Sequence, residues 1–429
     1  MATFNHMPMG KKGLHEVYEW VDEFVNKNSL TTDKKIIGKS PANQDIPAIF
    51  VTNKDNPIED KQIAVVTLAR HGQELGARVV GPEILNYLVS DEAKGIRDTQ
   101  VVIVVPVVNP DGFILNEFHS SMTRITNTER TVLGGLFKKY PPDMMIDYHS
   151  LGKTEGSKYD RGDMEVIIPS NTTRWGMDEQ IHQHVAQKMK DAAESAGWPF
   201  EIHTIEDLAA YYFGGTGIGN MPWSFLKEKM YLLHMQDFYD NYDTPEKSGY
   251  TNYTCGPAYL KWHTMVYGIE TNHWSITDPK DLAVSGRIPC SELLKMGSQR
   301  FSWEKDTGYP LNILQGDFRI SIRPVGKNAA ERRVSRSRIW NQRMYFNYPY
   351  REMPDSETTK AKVRYFGKEL PIEFALCLRM RQDSIQEVIV KNKPVQFETF
   401  KDRCSTFLFI PLTLKKAGTL ELEIKHPAL

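Results

Sequence analysis

The sequence predicts an α/β fold in which a mixed, mainly parallel sheet is flanked by helices and followed by an all-β, sandwich-like C-terminal domain. Over residues 1–308, short and almost continuously apolar runs alternate with amphipathic stretches, as buried strands and crossover helices do. After Gly308, strand-like segments follow one another at the spacing of a sandwich. We therefore expect one domain over residues 1–308 and a second over residues 309–429.

The individual elements follow from hydrophobic periodicity. Leu14, Val17, Val21 and Phe24 recur at the period of a helix and predict one over residues 13–28. Other helices are expected at residues 82–89, where a proline opens the first turn, and at 182–196. Strands of the first domain are expected at residues 48–52, 63–68, 101–108, 144–148 and 265–269. Those of the second are expected at 318–323, 343–347, 362–366, 385–390, 406–410 and 419–424.

The composition narrows the classes of partner. The chain has 429 residues, 40% hydrophobic and 25% charged, with a formal net charge of −1, which gives no indication of a nucleic-acid partner. The longest apolar run, around VVIVVPVV, is too short to cross a bilayer, so no membrane partner is expected. The four cysteines lack the spacing of a zinc-cysteine site. The first residues lack a signal-peptide pattern, which predicts a cytoplasmic protein or a secreted one whose leader has been removed.

Polar clusters directly follow four of the apolar runs. They are HGQE at residues 71–74, NPDG at 109–112, His149 with Ser150, and Glu270. In open α/β sheets, functional sites lie beyond the carboxyl ends of the strands. The four clusters together therefore predict a site at this edge of the sheet.

His71, Glu74 and His149 have the residue types of a catalytic zinc site. Such a site needs three protein ligands at about 2.0–2.2 Å and an open position, and two histidines with one glutamate are a known ligand set. His71 and Glu74 stand three residues apart on a strand-to-helix loop, and His149 would join them from another strand end. A lone His-x-x-Glu spacing arises by chance in many chains, so the prediction of one zinc ion per chain depends on His149.

Glu270 ends a strand of apolar and small residues. A buried carboxylate there is costly unless it meets a cation or takes part in chemistry. Beside a zinc site it would accept a proton from water and pass it to a leaving amine. Pairing with Lys261 or His263 is the structural alternative, and the residues alone leave both open.

HGQE, NPDGF, DYHS and GIETN, in this order, resemble the motifs of the zinc carboxypeptidase family. The resemblance covers residues 10–300, and its four motifs are jointly specific. It implies the family's mixed, mainly parallel sheet between helices. It also implies that His71, Glu74 and His149 bind zinc and that Glu270 is the general base.

The resemblance also implies substrate contacts. The family uses one arginine for the oxyanion, and Arg124 stands at the expected distance after NPDG. Arg130, with Asn127 nearby, is the candidate for holding the substrate carboxylate. The family's adjacent Asn-Arg pair is absent here, so the assignments of Arg124 and Arg130 can be swapped. The tyrosine that closes over the substrate is expected to be Tyr250, and its competitors are Tyr212 and Tyr253.

The expected function is hydrolysis of an amide or peptide bond next to a free carboxylate, by a metallocarboxypeptidase. An amidase or deacylase acting on N-acyl amino acids or cell-wall peptides is the alternative enzyme. A catalytically inactive binding protein on the same fold is the alternative from another class. The C-terminal domain either braces the catalytic domain or binds a sugar or a partner. The oligomeric state of the protein and its cellular compartment are left open.

Overall fold

The computed structural model describes residues 3–56, 61–117, 132–140, 142–150, 165–169, 177–202, 264–272, 276–298, 301–303, 311–313, 318–325, 338–340, 343–347, 357–365, 370–380, 384–401 and 406–427. The chain divides into two compact units, one mainly of residues up to Lys295 and the other mainly of residues from Met296 onward. The domain boundary near residue 308 stays a prediction.

The first unit alternates strands and helices. Its helices are α1 (Gly10–Lys27), α2 (Ala77–Val89), α3 (Lys94–Thr99), α4 (Pro110–Leu115), α5 (Gly134–Lys139), α6 (Met177–Ser195) and α7 (Pro279–Ser298). Its strands are β1 (Thr32–Lys39), β2 (Asp45–Val51), β3 (Gln62–Thr67), β4 (Gln100–Val105), β5 (Met144–Ser150), β6 (Glu165–Pro169), β7 (Phe200–Ile202) and β8 (Met265–Thr271).

These strands form one eight-stranded sheet in the order β1-β2-β4-β3-β5-β8-β6-β7. β3 and β5, β5 and β8, and β6 and β7 pair in parallel, whereas β1 with β2, β2 with β4, and β6 with β8 pair antiparallel. The predicted mixed, mainly parallel sheet with flanking helices is confirmed. Because β3, β5 and β8 are parallel neighbours, their carboxyl ends meet at one edge of the sheet.

The central strands are buried on both faces. All residues of β4 and β5 are buried, which explains their nearly continuous apolar sequences. α1 packs Leu14 and Val17 against Ala69, Val107 and Phe113. α2 and α7 meet through Val79, Leu282 and Ala283.

Several predicted element ends were wrong, among them the start of the helix expected at 182–196, which begins at Met177, and proline is the reason in two cases. The helix expected at residues 82–89 begins at Ala77 and contains Pro82 in its interior. Burial of its apolar face, including Val79 and Ile84, offsets the backbone hydrogen bond that proline cannot make. The strand expected at 101–108 ends at Val105, because Pro106 has no N–H to donate to a ladder.

From Phe301 onward, the second unit is built of strands within its described residues. They are β9 (Phe301–Trp303), β10 (Leu311–Ile313), β11 (Phe318–Val325), β12 (Arg338–Trp340), β13 (Arg343–Asn347), β14 (Thr358–Tyr365), β15 (Ile372–Met380), β16 (Glu387–Val390), β17 (Lys393–Pro394), β18 (Glu398–Lys401), β19 (Thr406–Leu414) and β20 (Gly418–Lys425). The predicted all-β character of the C-terminal region is confirmed, and each of the six expected strands overlaps an observed one.

Two five-stranded sheets dominate this unit, in the orders β11-β14-β20-β16-β17 and β12-β13-β15-β19-β18. A single apolar cluster takes residues from both sheets, among them Val363 and Leu422 from the first and Leu376 and Ile410 from the second. The sheets therefore pack face to face, as in a sandwich. Across the described residues of both units, the longest helices are too polar to form a membrane span.

Candidate metal centre

The loop that carries His71 and Glu74 leaves the sheet at the end of β3. Ala69 has a φ of 48°, a left-handed conformation that is uncommon for a residue with a Cβ and turns the chain away from the strand. The loop then makes a tight turn in which the Glu74 amide donates to the His71 carbonyl over 3.2 Å. α2 begins three residues later, so both side chains precede the helix and are free of its periodicity.

The structure brings His71, Glu74 and His149 together. Nδ1 of His71 lies 2.6 Å from Oε1 of Glu74, and Nδ1 of His149 lies 3.0 Å from Oε2. The two Nδ1 atoms are 3.2 Å apart, and one ligand atom from each residue lies within 4.8 Å of the others. All three residues are buried, with 8–9% of their surface exposed.

The distance between the two ring nitrogens is close to that expected around a divalent metal ion, whereas the 2.6 Å from Nδ1 of His71 to Oε1 of Glu74 is a hydrogen-bond distance. In a tetrahedral zinc site with bonds of about 2.0–2.2 Å, ligand atoms lie roughly 3.3–3.6 Å from one another. The Nδ1–Nδ1 distance of 3.2 Å lies just below that range. Two ring nitrogens 3.2 Å apart, each beside a carboxylate oxygen, would turn their lone pairs toward one point once deprotonated, and a cation would satisfy them there. The donor set of two histidines and one glutamate is also one that zinc uses.

The electrostatics of the three residues are those of an ionised carboxylate between two rings. Burial alone would raise the pKa of Glu74, but the charge of His149 and hydrogen bonds from both rings lower that pKa to about 2. Burial and the nearby Arg70 charge lower the pKa of His71 to about 4. Burial opposes the charged form of His149 as well, yet Glu74 and Asp147 raise its pKa well above the usual value. At neutral pH the Glu74 carboxylate is therefore ionised and the His71 ring is uncharged.

A second layer of polar residues holds His149 from behind. Asp147 is fully buried, and its Oδ2 lies 3.0 Å from Nε2 of His149. Thr67 donates its hydroxyl to the other carboxylate oxygen over 2.6 Å. In the metal-free protein the raised pKa keeps His149 protonated, so Nδ1–H donates to Glu74 and Nε2–H to Asp147. A metal ion would displace the proton from Nδ1 and leave the one on Nε2, which is the tautomer a metal ligand needs.

Arg70 completes this layer. Its Nε lies 3.5 Å from Oδ2 of Asp147, and its Nη2 lies 3.2 Å from Nε2 of His149. The guanidinium and burial act in opposite directions on the pKa of Asp147, and the arginine, with His149, holds that pKa well below its usual value. Neither Arg70 nor Asp147 was predicted from the sequence. The signal for Asp147 was the period of β5: Asp147 lies two residues before His149 and therefore on the same face of a buried strand.

Glu270 lies on β8, the strand next to β5. The parallel register places it opposite His149, and 7% of its surface is exposed. Because paired residues of neighbouring strands point to the same face of a sheet, Glu270 and His149 share one face. The structure thus places Glu270 beside His149, one of the three clustered residues.

The other predicted site residues lie outside the described residues. These are Arg124, Asn127, Arg130 and Tyr250.

The NPDG motif lies within the described residues, and its Asn109 and Asp111 side chains accept hydrogen bonds from nearby groups. Asn109 accepts from the Gly112 amide and caps α4, while Asp111 accepts from the Ser40 hydroxyl over 2.6 Å and from the Ala42 amide over 3.0 Å.

Comparison with known proteins agrees with this geometry. Residues 17–132 match the family model of zinc carboxypeptidases. Human Carboxypeptidase A5 is 29% identical over 130 residues, which are 29% of this chain and 28% of the human protein, so the match spans less than a third of either. These matches confirm the predicted resemblance to the zinc carboxypeptidase family, whose members are metallopeptidases.

Two solved structures are also similar. Bovine thrombin-activatable fibrinolysis inhibitor, in complex with tick carboxypeptidase inhibitor, is 12% identical with a TM-score of 0.42 and covers 66% of this chain and 95% of that chain. Carboxypeptidase A from Helicoverpa armigera is 12% identical with a TM-score of 0.45 and covers 66% of this chain and 74% of that chain. At these scores the likeness carries no weight, and the fold rests on the strand order.

Proposed function

We propose that this chain is a zinc-dependent hydrolase that cleaves an amide or peptide bond next to a free carboxylate, as a metallocarboxypeptidase does. The observation that carries the proposal is the convergence of His71, Glu74 and His149, with ligand atoms within 4.8 Å of one another, at the carboxyl ends of parallel strands. The family match over residues 17–132 supports the choice of zinc and of peptide substrates.

In this proposal one zinc ion is held by Nδ1 of His71, Nδ1 of His149 and the carboxylate of Glu74. Zinc in such a site supplies Lewis acidity, which polarises a carbonyl group and acidifies water. Asp147 keeps the proton on Nε2 of His149 and so keeps Nδ1 available. Arg70 offsets the buried charge of Asp147.

Glu270 is the proposed general base. Its carboxylate takes a proton from the attacking water and passes it to the leaving amine. Its register position opposite His149 places it on the face of the sheet where the proposed ligands lie. A buried carboxylate in that position has a chemical reason to be there, since burial without a partner or a role is costly.

The proposed substrate contacts come from the family resemblance. Arg124 would stabilise the oxyanion, Arg130 with Asn127 would hold the free carboxylate, and Tyr250 would close over the substrate. A guanidinium suits both arginine roles because it is always charged and presents fixed donors to an oxyanion or a carboxylate.

The first test measures zinc content and hydrolysis on the same preparations of the full chain. Wild type should contain one zinc per chain and hydrolyse N-blocked dipeptides. His149→Ala should lose both, whereas His15→Ala, which removes an exposed histidine paired with Glu19, should keep both. A His149→Ala protein with a full complement of zinc would overturn the proposed ligand set.

The second test compares N-blocked dipeptides as free acids and as amides. A charge-assisted contact to the substrate carboxylate is worth about 1.5–3 kcal/mol, so the free acid should be preferred by roughly ten- to a hundredfold. Equal cleavage of the two would reject the carboxypeptidase and favour an endopeptidase. Cleavage of N-acyl amino acids alone would favour the deacylase.

A further inference from the structure

We propose that Arg78 is a positioning residue for the metal-binding loop, residues 71–74. Its buried guanidinium joins Gly72 of that loop to the α4 segment, residues 110–117, and to Pro8 in the N-terminal segment. The inference rests on the proposed function, since it concerns the loop that carries two of the three proposed zinc ligands. Arg78 itself touches neither ligand side chain in the described contacts.

The contacts of Arg78 connect three separate segments. Nη2 donates to the carbonyl of Gly72, to Oδ1 of Asn116 over 3.0 Å and to the carbonyl of Phe113 over 3.4 Å. Nη1 donates to the carbonyl of Pro8. The guanidinium carbon also lies 3.9 Å from the centre of the Phe113 ring, an attractive cation–π geometry.

The setting of this cation is unusual. Arg78 is 2% exposed, and its hydrogen-bond acceptors within the described residues are neutral carbonyl and amide oxygens. Burial lowers the pKa of Arg78 to about 10, which leaves it charged at neutral pH. A buried charge costs several kcal/mol unless its hydrogen bonds are made, so the oxygens are held firmly in place around it.

Gly72 is the residue on which this arrangement acts. It lies between His71 and Glu74, and a Cβ at this position would overlap the carbonyl group of Gly112 and lie 2.5 Å from the carbonyl oxygen of Glu117. The loop backbone is therefore pressed against the α4 segment at Gly72, the same residue whose carbonyl accepts from Arg78. Displacement of Gly72 would move His71 and Glu74 relative to His149.

If Arg78 had a purely structural role, its loss would lower stability without a specific effect on zinc affinity. Arg97 provides the matched control. Arg97 is also a buried arginine, and its Nη1 donates to the carbonyls of Leu88 and Ser90, each over 2.6 Å. Those acceptors lie at the far end of α2, away from the metal-binding loop. Loss of either arginine should lower the melting temperature, but only Arg78 should affect zinc.

The experiment measures the zinc dissociation constant of the full chain by competition with a chelating dye, for wild type, Arg78→Gln, Arg78→Lys and Arg97→Gln. Residues that support metal ligands typically change affinity by about 10–100-fold, and we expect Arg78→Gln to weaken zinc binding by that factor. Arg78→Lys keeps the charge but loses the planar fork, so it should fall between Arg78→Gln and wild type. Arg97→Gln should stay within about threefold of wild type.

Hydrogen exchange of the metal-free proteins gives a readout that does not involve zinc. The Glu74 amide, which donates to the His71 carbonyl, should exchange faster in Arg78→Lys than in wild type and Arg97→Gln. If Arg78→Gln does not fold, Arg78→Lys decides the question by affinity and exchange together. Unchanged zinc affinity and exchange in the Arg78 variants would overturn this inference alone. A wild-type chain that binds no zinc would overturn the proposed function, and the inference with it.

Discussion

At the scale of single residues, the proposed zinc centre depends on which ring nitrogens of His71 and His149 would face the ion. His71 and His149 turn their Nδ1 atoms toward Glu74, and Asp147 holds the opposite nitrogen of His149. Histidine ligands of metals usually donate their second N–H to a carboxylate or carbonyl, which fixes both ring orientation and tautomer. Asp147 is therefore as much a part of the centre as the residues that would touch the ion.

Loss of the Asp147 charge should destabilise the metal-free protein. Asp147→Asn leaves Arg70 as a buried cation beside the neutral amide, and breaking a buried ion pair in this way costs about 3–5 kcal/mol. Urea unfolding of wild type and variant measures the difference. Glu19→Gln, which removes an exposed partner of His15, is the control and should cost less than about 1 kcal/mol. Equal costs for the two variants would show that the Asp147–Arg70 contact adds no stability.

Replacement of Glu270 should separate catalysis from metal binding. Glu270→Gln keeps the size of the side chain and removes the basic oxygen, so the variant should fold and hold one zinc per chain. Hydrolysis should fall by about 10²–10⁴-fold, the usual contribution of a general base. Steady-state kinetics with a free-acid dipeptide measures this loss. Turnover within a few-fold of wild type would mean that another group accepts the proton.

At the scale of elements, the site is formed where strand ends, a loop and α4 come together. The loop at residues 71–74 lies against the α4 segment through Gly72 and Gly112, and a side chain at either position would leave too little room. Asn109 and Asp111 tie the start of α4 to its own turn and to the segment after β1. The NPDG motif thus contributes through backbone geometry.

Gly72→Ala tests this close contact. The added methyl group would overlap the Gly112 carbonyl, so the loop must shift, and we expect a loss of about 1–3 kcal/mol together with weaker zinc binding. Gly95→Ala is the control, because its Cβ would meet no atom within 4 Å in α3. That substitution should stabilise the protein by about 0.4–1 kcal/mol. Thermal unfolding and zinc titration of both variants provide the comparison; a Gly72→Ala protein that behaves like Gly95→Ala would rule out the tight contact.

The sequence predicted elements where periodicity is strong and missed them where tertiary burial decides. α1 was predicted because its apolar residues recur at the helical period, and β5 because it is continuously apolar. α7 was missed because Gly286 and Pro289 interrupt its pattern, although Leu282, Ala283 and Leu293 are buried. His71, Glu74 and His149 were predicted from polar residues after apolar runs. The role of Arg78 could not be predicted, because its acceptors are three backbone carbonyls and the Asn116 side-chain oxygen, which only the fold brings together.

At the scale of the whole molecule, the chain joins an α/β unit that carries the candidate centre to a C-terminal unit of two packed sheets. The cluster of three metal-type residues found in the described part of the chain lies in the first unit. The second unit has its own apolar core, which includes Val363, Leu376 and Ile410. We expect the second unit to supply no catalytic group.

His426 should make the stability of the C-terminal unit depend on pH. Burial lowers the pKa of His426, although a hydrogen bond to the Pro427 carbonyl and the charge of Glu357 raise it in part; its other nitrogen pairs with the Thr359 hydroxyl over 2.8 Å. Because the folded state binds the proton less well than the unfolded state, stability is fully present above about pH 6.5 and falls as the pH decreases toward the folded-state pKa.

The measurement is the free energy of unfolding at about pH 7.5 and about pH 5, values on either side of the ordinary histidine pKa. Wild type should lose more stability over this interval than His426→Gln, whereas His15→Gln, a change at an exposed position, should behave like wild type. An identical loss in wild type and His426→Gln would assign the pH dependence to other groups.

The central claim is that His71, Glu74 and His149 together hold one zinc ion, and anomalous diffraction at the zinc absorption edge tests it most directly. Crystals of the full chain grown with zinc should show one strong anomalous peak per chain. That peak should lie about 2.0–2.2 Å from Nδ1 of His71, Nδ1 of His149 and a carboxylate oxygen of Glu74. A peak bound by other residues, or zinc-saturated crystals with no peak between these three side chains, would contradict the account.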